Sequence, residues 1–154
     1  ETIREAKDWL EANHSTVEMS DPGNLYKLEI KPEIDEMLDW DKPLSKQSPK
    51  VRKALKALAT DPSRNAQLSD SKQSMLRDSL QSFESGNTTG QTVLGIIGRG
   101  AEGSHALLAA GIRGVRYRDG YSRGADTNDA QASYNYVIFD EADIKITHEN
   151  DIAR

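Results

Sequence analysis

Between Gly111 and Asp140 the chain concentrates side chains that bind anions and orient hydroxyls: Arg113, Arg116, Arg118, Asp119, Tyr121, Arg123, Asp126, Asn128 and Asn135. Gly120 and Gly124 interrupt the segment and apolar stretches flank it, a pattern of a polar loop presented by a rigid base. An arginine such as Arg123 holds a phosphate or carboxylate through its fork of donors. Asp119 can accept from a ribose hydroxyl or orient an arginine. Asn135 stands between Tyr134 and Tyr136 in a strand-forming run, so its amide points away from theirs. It then either faces a cleft or is satisfied internally. A plainer reading stands beside this one: Asp119-Gly120 is only a turn, and Arg123 a clamp that pairs with Asp119. The binding reading requires the 117–123 loop and the strand through Asn135 to share one hollow.

Other chemistries find little footing. Twenty Lys and Arg against 25 Asp and Glu give a formal charge of -5, which does not supply the cationic field of a phosphate-tracking protein. The chain has no cysteine, which removes disulfides, thiolate metal sites and a cysteine nucleophile. His14, His105 and His148 show no i, i+4 pair, and no metal site is expected. Ser104 and His105 are neighbours on an expected helix and diverge, so they do not form a catalytic pair. Gly95-Ile96-Ile97-Gly98-Arg99-Gly100 has the wrong spacing for a dinucleotide loop and no Gly-Lys-Ser/Thr for a phosphate loop. Its glycines are expected to allow a tight connection between two helices. No apolar run is long enough to span a bilayer, and no membrane partner is expected. The chain opens on Glu1 rather than Met, which reads as processing or as a piece of something longer. Residues 1–154 are expected to form one domain or the C-terminal portion of a larger one, with residues 1–22 as a linker or helical lead-in.

The elements that must position these groups follow from pattern. Thr2 and Glu5 form a capping box for a helix ending near Asn13, and Leu25–Ile30 alternates as a strand. Ile34, Met37 and Leu38 fit one helical turn. Ser48-Pro49 opens a helix whose Val51, Leu55 and Leu58 are dry and whose Lys50, Lys53 and Lys56 are wet. That lysine row reads as a solvated face, with a nucleic-acid contact as the smaller alternative. Asp61-Pro62 marks a break. Met75, Leu76, Leu80 and Phe83 mark another helix, with Met75 as core filler. Thr92–Ile97 is helix or buried strand. Ala106, Leu107 and Ala110 line a helix that Gly111 caps in the left-handed conformation. Ile112–Tyr117 reads as a strand, 121–132 as a polar loop, Ser133–Phe139 as a central strand, and Ile144 and Ile146 as part of a closing strand. Together they predict an α+β domain, helices followed by a small, largely antiparallel sheet.

The runs Gly111–Gly120, Ser122-Arg123 and Asn135–Asp140, with Gly23–Ile30 and Leu38–Gln47 before them, resemble the ADP-ribosyltransferase domain of large phage and prophage polyvalent proteins. The resemblance spans roughly residues 20–148, and the Leu38–Gln47 and Tyr117–Arg123 runs are its most specific parts. It implies part of an ADP-ribosyltransferase fold, NAD as co-substrate, and a protein or nucleic-acid acceptor. It also implies a bacterial cytoplasmic or phage-particle location, with delivery into a host cell as an option. Such domains use a histidine strand, a tyrosine that stacks on nicotinamide, and a third position on a late strand. Asn135 falls at that third position and, with Asp119, is the expected catalytic group. Arg116, Tyr121 and Arg123 are the expected cofactor contacts. Asparagine brings no carboxylate there, so the acid role passes to Asp119 or is lost. The histidine-glycine segment of the family is not seen ahead of Leu25, and is expected in preceding sequence or in another chain. The alternatives are a non-catalytic, partner-binding remnant of such a domain and a nuclease-like toxin.

Overall fold

The computed structural model describes residues 24–81, 88–120, 132–150 and 152–153. The expected first helix, the 121–131 part of the polar loop, and Tyr121, Arg123, Asp126 and Asn128 lie outside the described residues. The fold is mixed α+β, with strands β1 (Tyr26–Ile30), β2 (Met37–Asp39), β3 (Gly114–Arg118), β4 (Tyr134–Ile138), β5 (Ile144–Glu149) and β6 (Ile152–Ala153). Between β2 and β3 come helices α1 (Pro49–Thr60), α2 (Pro62–Asn65), α3 (Asp70–Gln81), α4 (Gly90–Ile97) and α5 (Ala101–Ala110). The chain divides into two compact units, residues 29–145 and a smaller one to which the described residues 24–28, 146–150 and 152–153 belong.

In the smaller unit, Asn150 binds the chain at Leu25 twice: its backbone N–H donates to the Leu25 carbonyl at 2.8 Å, and its side-chain oxygen accepts from the Leu25 N–H at 3.0 Å. The Thr147 hydroxyl donates to the Lys27 carbonyl at 3.1 Å. One sheet has the order β1-β5-β6 and the other β2-β3-β4.

The larger unit carries the core. Leu38 from β2, Val51 and Leu55 from α1, Leu76 from α3, Ile97 from α4 and Leu107 from α5 are fully buried in one cluster. Burying a leucine-sized side chain is worth about 1.5–3 kcal/mol, and this cluster joins the helices to the sheet. α1 begins where the sequence signals it: the Ser48 hydroxyl accepts from the Val51 N–H at 3.0 Å and Pro49 occupies the first turn. Lys53 and Lys56 are exposed as expected, and Lys50 reaches Asp35 at 2.9 Å. That hydrogen bond raises the Lys50 ammonium above its ordinary value. Removing the cap with Ser48→Ala is expected to cost about 1 kcal/mol, read as a lowered urea midpoint with an unchanged slope.

Several expectations are corrected. Ile34–Glu36 is a 3-10 turn, but Met37 and Leu38 belong to β2, which pairs in parallel with β3 at Met37↔Gly114, Leu38↔Val115 and Asp39↔Arg116. Local spacing suggested a helical turn because it cannot register a partner strand far along the chain. β3, not the run through Asn135, is central in its sheet: β4 pairs antiparallel with β3 and stands last in the order, with Asn135, Tyr136 and Val137 exposed. Thr92–Ile97, open between helix and buried strand in the sequence, is helical. Met75 is 52% exposed, so it is not core filler. Along β5 the apolar Ile144 and Ile146 are exposed, whereas Asp143 just before it is buried. The reason is charge pairing: Arg113 donates from Nε to Asp143 at 2.9 Å and from Nη2 to both carboxylate oxygens. The Arg113 guanidinium is held above its ordinary value, chiefly by that hydrogen bonding.

Candidate functional site

Two hollows flank the turn that leaves β2, and their walls follow from strand alternation. Along β3 and β4 one row of side chains is Val115 and Tyr117 with Val137 and Asn135 opposite; the other is Arg116 and Arg118 with Tyr136 and Tyr134 opposite.

The turn itself is built by Asp39 and Gln47, which are both buried. Gln47 acts as a surrogate strand. Its Oε1 accepts from the Asp39 N–H at 2.9 Å, and its Nε2 donates to the carbonyls of Asp39 at 2.6 Å and Lys42 at 2.9 Å. The Asp39 carboxylate accepts from the Asp41 N–H at 3.1 Å and the Lys42 N–H at 3.2 Å through Oδ1. Its Oδ2 meets Arg116, at 2.9 Å from Nε and 2.7 Å from Nη2. Arg116 also stacks on the Tyr134 ring at 4.7 Å, a diagonal contact on the same sheet face. The turn is tied to the start of α4, where Gly90 N–H donates to the Lys42 carbonyl and Gln91 N–H to the Trp40 carbonyl.

Trp40 is thereby fixed at the mouth of the first hollow. This cavity of about 220 Å³ is walled by Trp40, Leu94, Val115, Tyr117, Val137 and Phe139, with Gly98, Arg99 and Ser104 completing the rim. Arg99 lies over the Trp40 ring, its guanidinium carbon 5.1 Å from the centroid. The walls are mainly apolar and aromatic, and none of the nine lining residues is a carboxylate. Such a cavity accepts a flat ring by stacking and desolvation.

The second hollow, about 480 Å³, is lined by Asp39, Asp41, Lys42, Pro43, Lys46, Arg118 and Tyr134 and is polar.

Among the site residues expected from sequence, Asn135 and Asp119 fall on the row that faces the first hollow or continues it. Asn135 pairs with Tyr117 and is exposed beside Val137, although it does not line the cavity wall. Asp119 extends the ladder one step: its N–H donates to the Ser133 carbonyl at 3.1 Å, and the Ser133 hydroxyl donates to its Oδ2. Arg116 lies on the opposite row, engaged with Asp39. Tyr121 and Arg123 lie outside the described residues.

Sequence reasoning missed Trp40, Arg99 and Phe139 as site residues. The available signal was the Gly98-Arg99-Gly100 run, whose glycines do make the tight connection expected of them between α4 and α5. Trp40, an aromatic side chain inside a polar turn, was the other. Among the described residues no cluster of His, Asp or Glu could hold a metal ion, and no helix is long and apolar enough to cross a membrane. Comparison of the chain with protein-family models, curated proteins and solved structures finds no match.

Proposed function

We propose that the chain is an NAD-handling, ADP-ribosyltransferase-like module of phage or prophage type, in which the aromatic hollow receives the nicotinamide ring. The observation that carries the reading is the cavity walled by Trp40, Tyr117 and Phe139, with Asn135 one register step along the same face. Its volume of about 220 Å³ is below the roughly 300–1,000 Å³ of pockets that enclose a drug-sized ligand. One ring fits, and the remainder of a dinucleotide stays outside. On this reading Asn135 hydrogen-bonds a ribose hydroxyl. In the reaction the nicotinamide C–N glycosidic bond breaks, nicotinamide leaves with the electron pair, and an acceptor nucleophile bonds to the anomeric carbon while releasing its proton. The module's contribution is to hold the ring and ribose so that the ribose cation develops in a fixed position.

Three observations favour a second reading, binding without transfer. Among the described residues no carboxylate lines the hollow, position 135 is asparagine, and the Asp119 carboxylate accepts from Ser133.

Val137, at 47% exposure, tests the hollow under either reading because a polar replacement there stays at the surface. NAD is expected to bind the 154-residue chain, and Val137→Glu to weaken it roughly tenfold by placing a charge against an apolar wall. Calorimetry measures the binding, and release of nicotinamide from labelled NAD measures the reaction. Binding with release supports transfer; binding without it selects the second reading. If NAD does not bind, or binds Val137→Glu equally well, the hollow is not a nicotinamide site.

A further inference from the structure

The sheet β2-β3-β4 has two outer edges, and the fold treats them differently. On the β2 side the Gln47 side chain takes up the N–H and carbonyl of Asp39. On the other side β4 stands last in the order. The Phe139 N–H donates to the Arg113 carbonyl, and the Asp119 N–H to the Ser133 carbonyl. Hydrogen bonding alternates along an antiparallel pair, so these two ends fix the pattern between them. The N–H and carbonyl of Asn135 and Val137 turn toward β3. Those of Tyr136 and Ile138 turn away from it, and among the described residues no group pairs with them there.

This open edge carries none of the features that keep strand edges apart. Tyr134–Phe139 contains no charged residue, no proline and no glycine. Tyr136 is 41% exposed and Val137 47%, so apolar surface is bare on both faces of the strand. The pattern fits a copy of itself. Two β4 strands laid antiparallel about a two-fold axis at Val137 bring Tyr136 of each copy opposite Ile138 of the other. The outward N–H and carbonyl groups of these two residues then satisfy one another. On the face of the first hollow, Val137 meets Val137 of the second copy in the closely spaced kind of pair. On the other face Tyr136 and Ile138 cover each other, an aromatic ring against a branched side chain. One register covers both bare side chains and both unpaired backbone positions, which selects a second copy as the occupant.

We propose that β4 pairs antiparallel with β4 of a second copy of the chain, about Val137, to make one continuous sheet across a two-fold dimer. Val137 also walls the first hollow, so the second copy closes that flank of the cavity. The pairing needs no ligand and does not require the nicotinamide reading. A pair of short strands buries less than the roughly 1,600 Å² of a standard interface. The dimer is therefore expected to form with a Kd of roughly 0.1–1 mM.

Sedimentation equilibrium of the full chain, without NAD, is expected to show monomers passing to dimers over that concentration range. Amide hydrogen exchange locates the contact. Concentrating the protein is expected to slow exchange at Tyr136 and Ile138, while Asn135 and Val137, already bonded to β3, change little. Val137→Lys and Val137→Glu each set like charges opposite one another across the axis and are expected to weaken self-association roughly tenfold. An equal mixture of the two variants is expected to restore the dimer, because opposite charges then face each other; that recovery also shows both variants to be folded. The proposal is overturned by a chain that stays monomeric to about 1 mM, or by a dimer in which exchange at Tyr136 and Ile138 does not follow concentration. A mixture of the folded variants that associates no better than either alone overturns it as well.

Discussion

Arg116→Leu is expected to cost about 3 kcal/mol of stability, because it takes the two-point guanidinium contact from a buried carboxylate. The Asp39 side chain is 6% exposed and that of Arg116 13%, so neither charge is well screened by solvent. Two backbone donors, from Asp41 and Lys42, and the Lys42 ammonium at 3.9 Å from Oδ2 remain on Asp39 after the substitution, which keeps the loss toward the lower end of the range for a broken buried pair. The stacking of the guanidinium on Tyr134 is lost as well. Adding Asp39→Asn to Arg116→Leu is expected to recover a large part of the loss, since the amide oxygen still accepts from the turn while no charge is buried. Arg116→Lys should fall between, because an ammonium keeps the charge but not the two-point contact. Urea melts of the single and double variants give the coupling directly. If Arg116→Leu lowers stability no more than an ordinary surface substitution does, the pair is not what secures the turn. The same variant is expected to weaken ring binding in the first hollow, since Trp40 follows Asp39 and its N–H donates to the Arg116 carbonyl at 2.9 Å.

How much of this was legible in the sequence depends on how local the cause is. The start of α1 could be read because Ser48 and Pro49 act within one turn. The end of α5 could be read because Gly111 sits at φ +98, a left-handed position that glycine takes without cost. The strand Met37–Asp39 could not. It exists because β3 lies beside it, and Asp39 and Arg116, which are joined in that register, are 77 positions apart. Asp39-Trp40-Asp41-Lys42-Pro43 forms the end of β2 and the turn that leaves it. Nothing local shows that Gln47 would supply the missing strand edge with its side chain. The site was half legible for the same reason. Alternation placed the Asn135 amide opposite its tyrosine neighbours, and the register puts it on the row of Tyr117. Alternation also puts Arg116 and Tyr117 on opposite rows, so a single polar cluster in the sequence becomes two faces in the sheet. The aromatic hollow draws on Trp40, Tyr117 and Phe139, three separate segments that only the fold brings together.

The sign of Gly103→Ala offers a test of helix packing against helix propensity. Position 103 lies inside α5, where alanine is intrinsically better than glycine by about 1 kcal/mol. On propensity alone the variant should be more stable. Yet a Cβ built on Gly103 would fall 2.0 Å from the Gly98 carbonyl oxygen and 2.8 Å from its carbon, both backbone atoms that no side-chain rotation can move. Gly98 itself has φ +112, so it cannot shift into an ordinary helical conformation without redirecting the chain between α4 and α5. Overpacking of this kind typically costs 1–3 kcal/mol and exceeds the propensity gain. Gly103→Ala is therefore expected to be less stable by about 2 kcal/mol, seen as a lower urea midpoint. Gly95→Ala, whose added Cβ meets nothing within 4 Å, is expected to hold or raise stability. Because Gly98, Arg99 and Ser104 form the rim of the first hollow, Gly103→Ala should also displace Arg99 from the Trp40 ring and weaken any ring bound there. A gain in stability at Gly103, matching that at Gly95, would mean that α4 and α5 do not approach this closely and that the rim is not set by their contact.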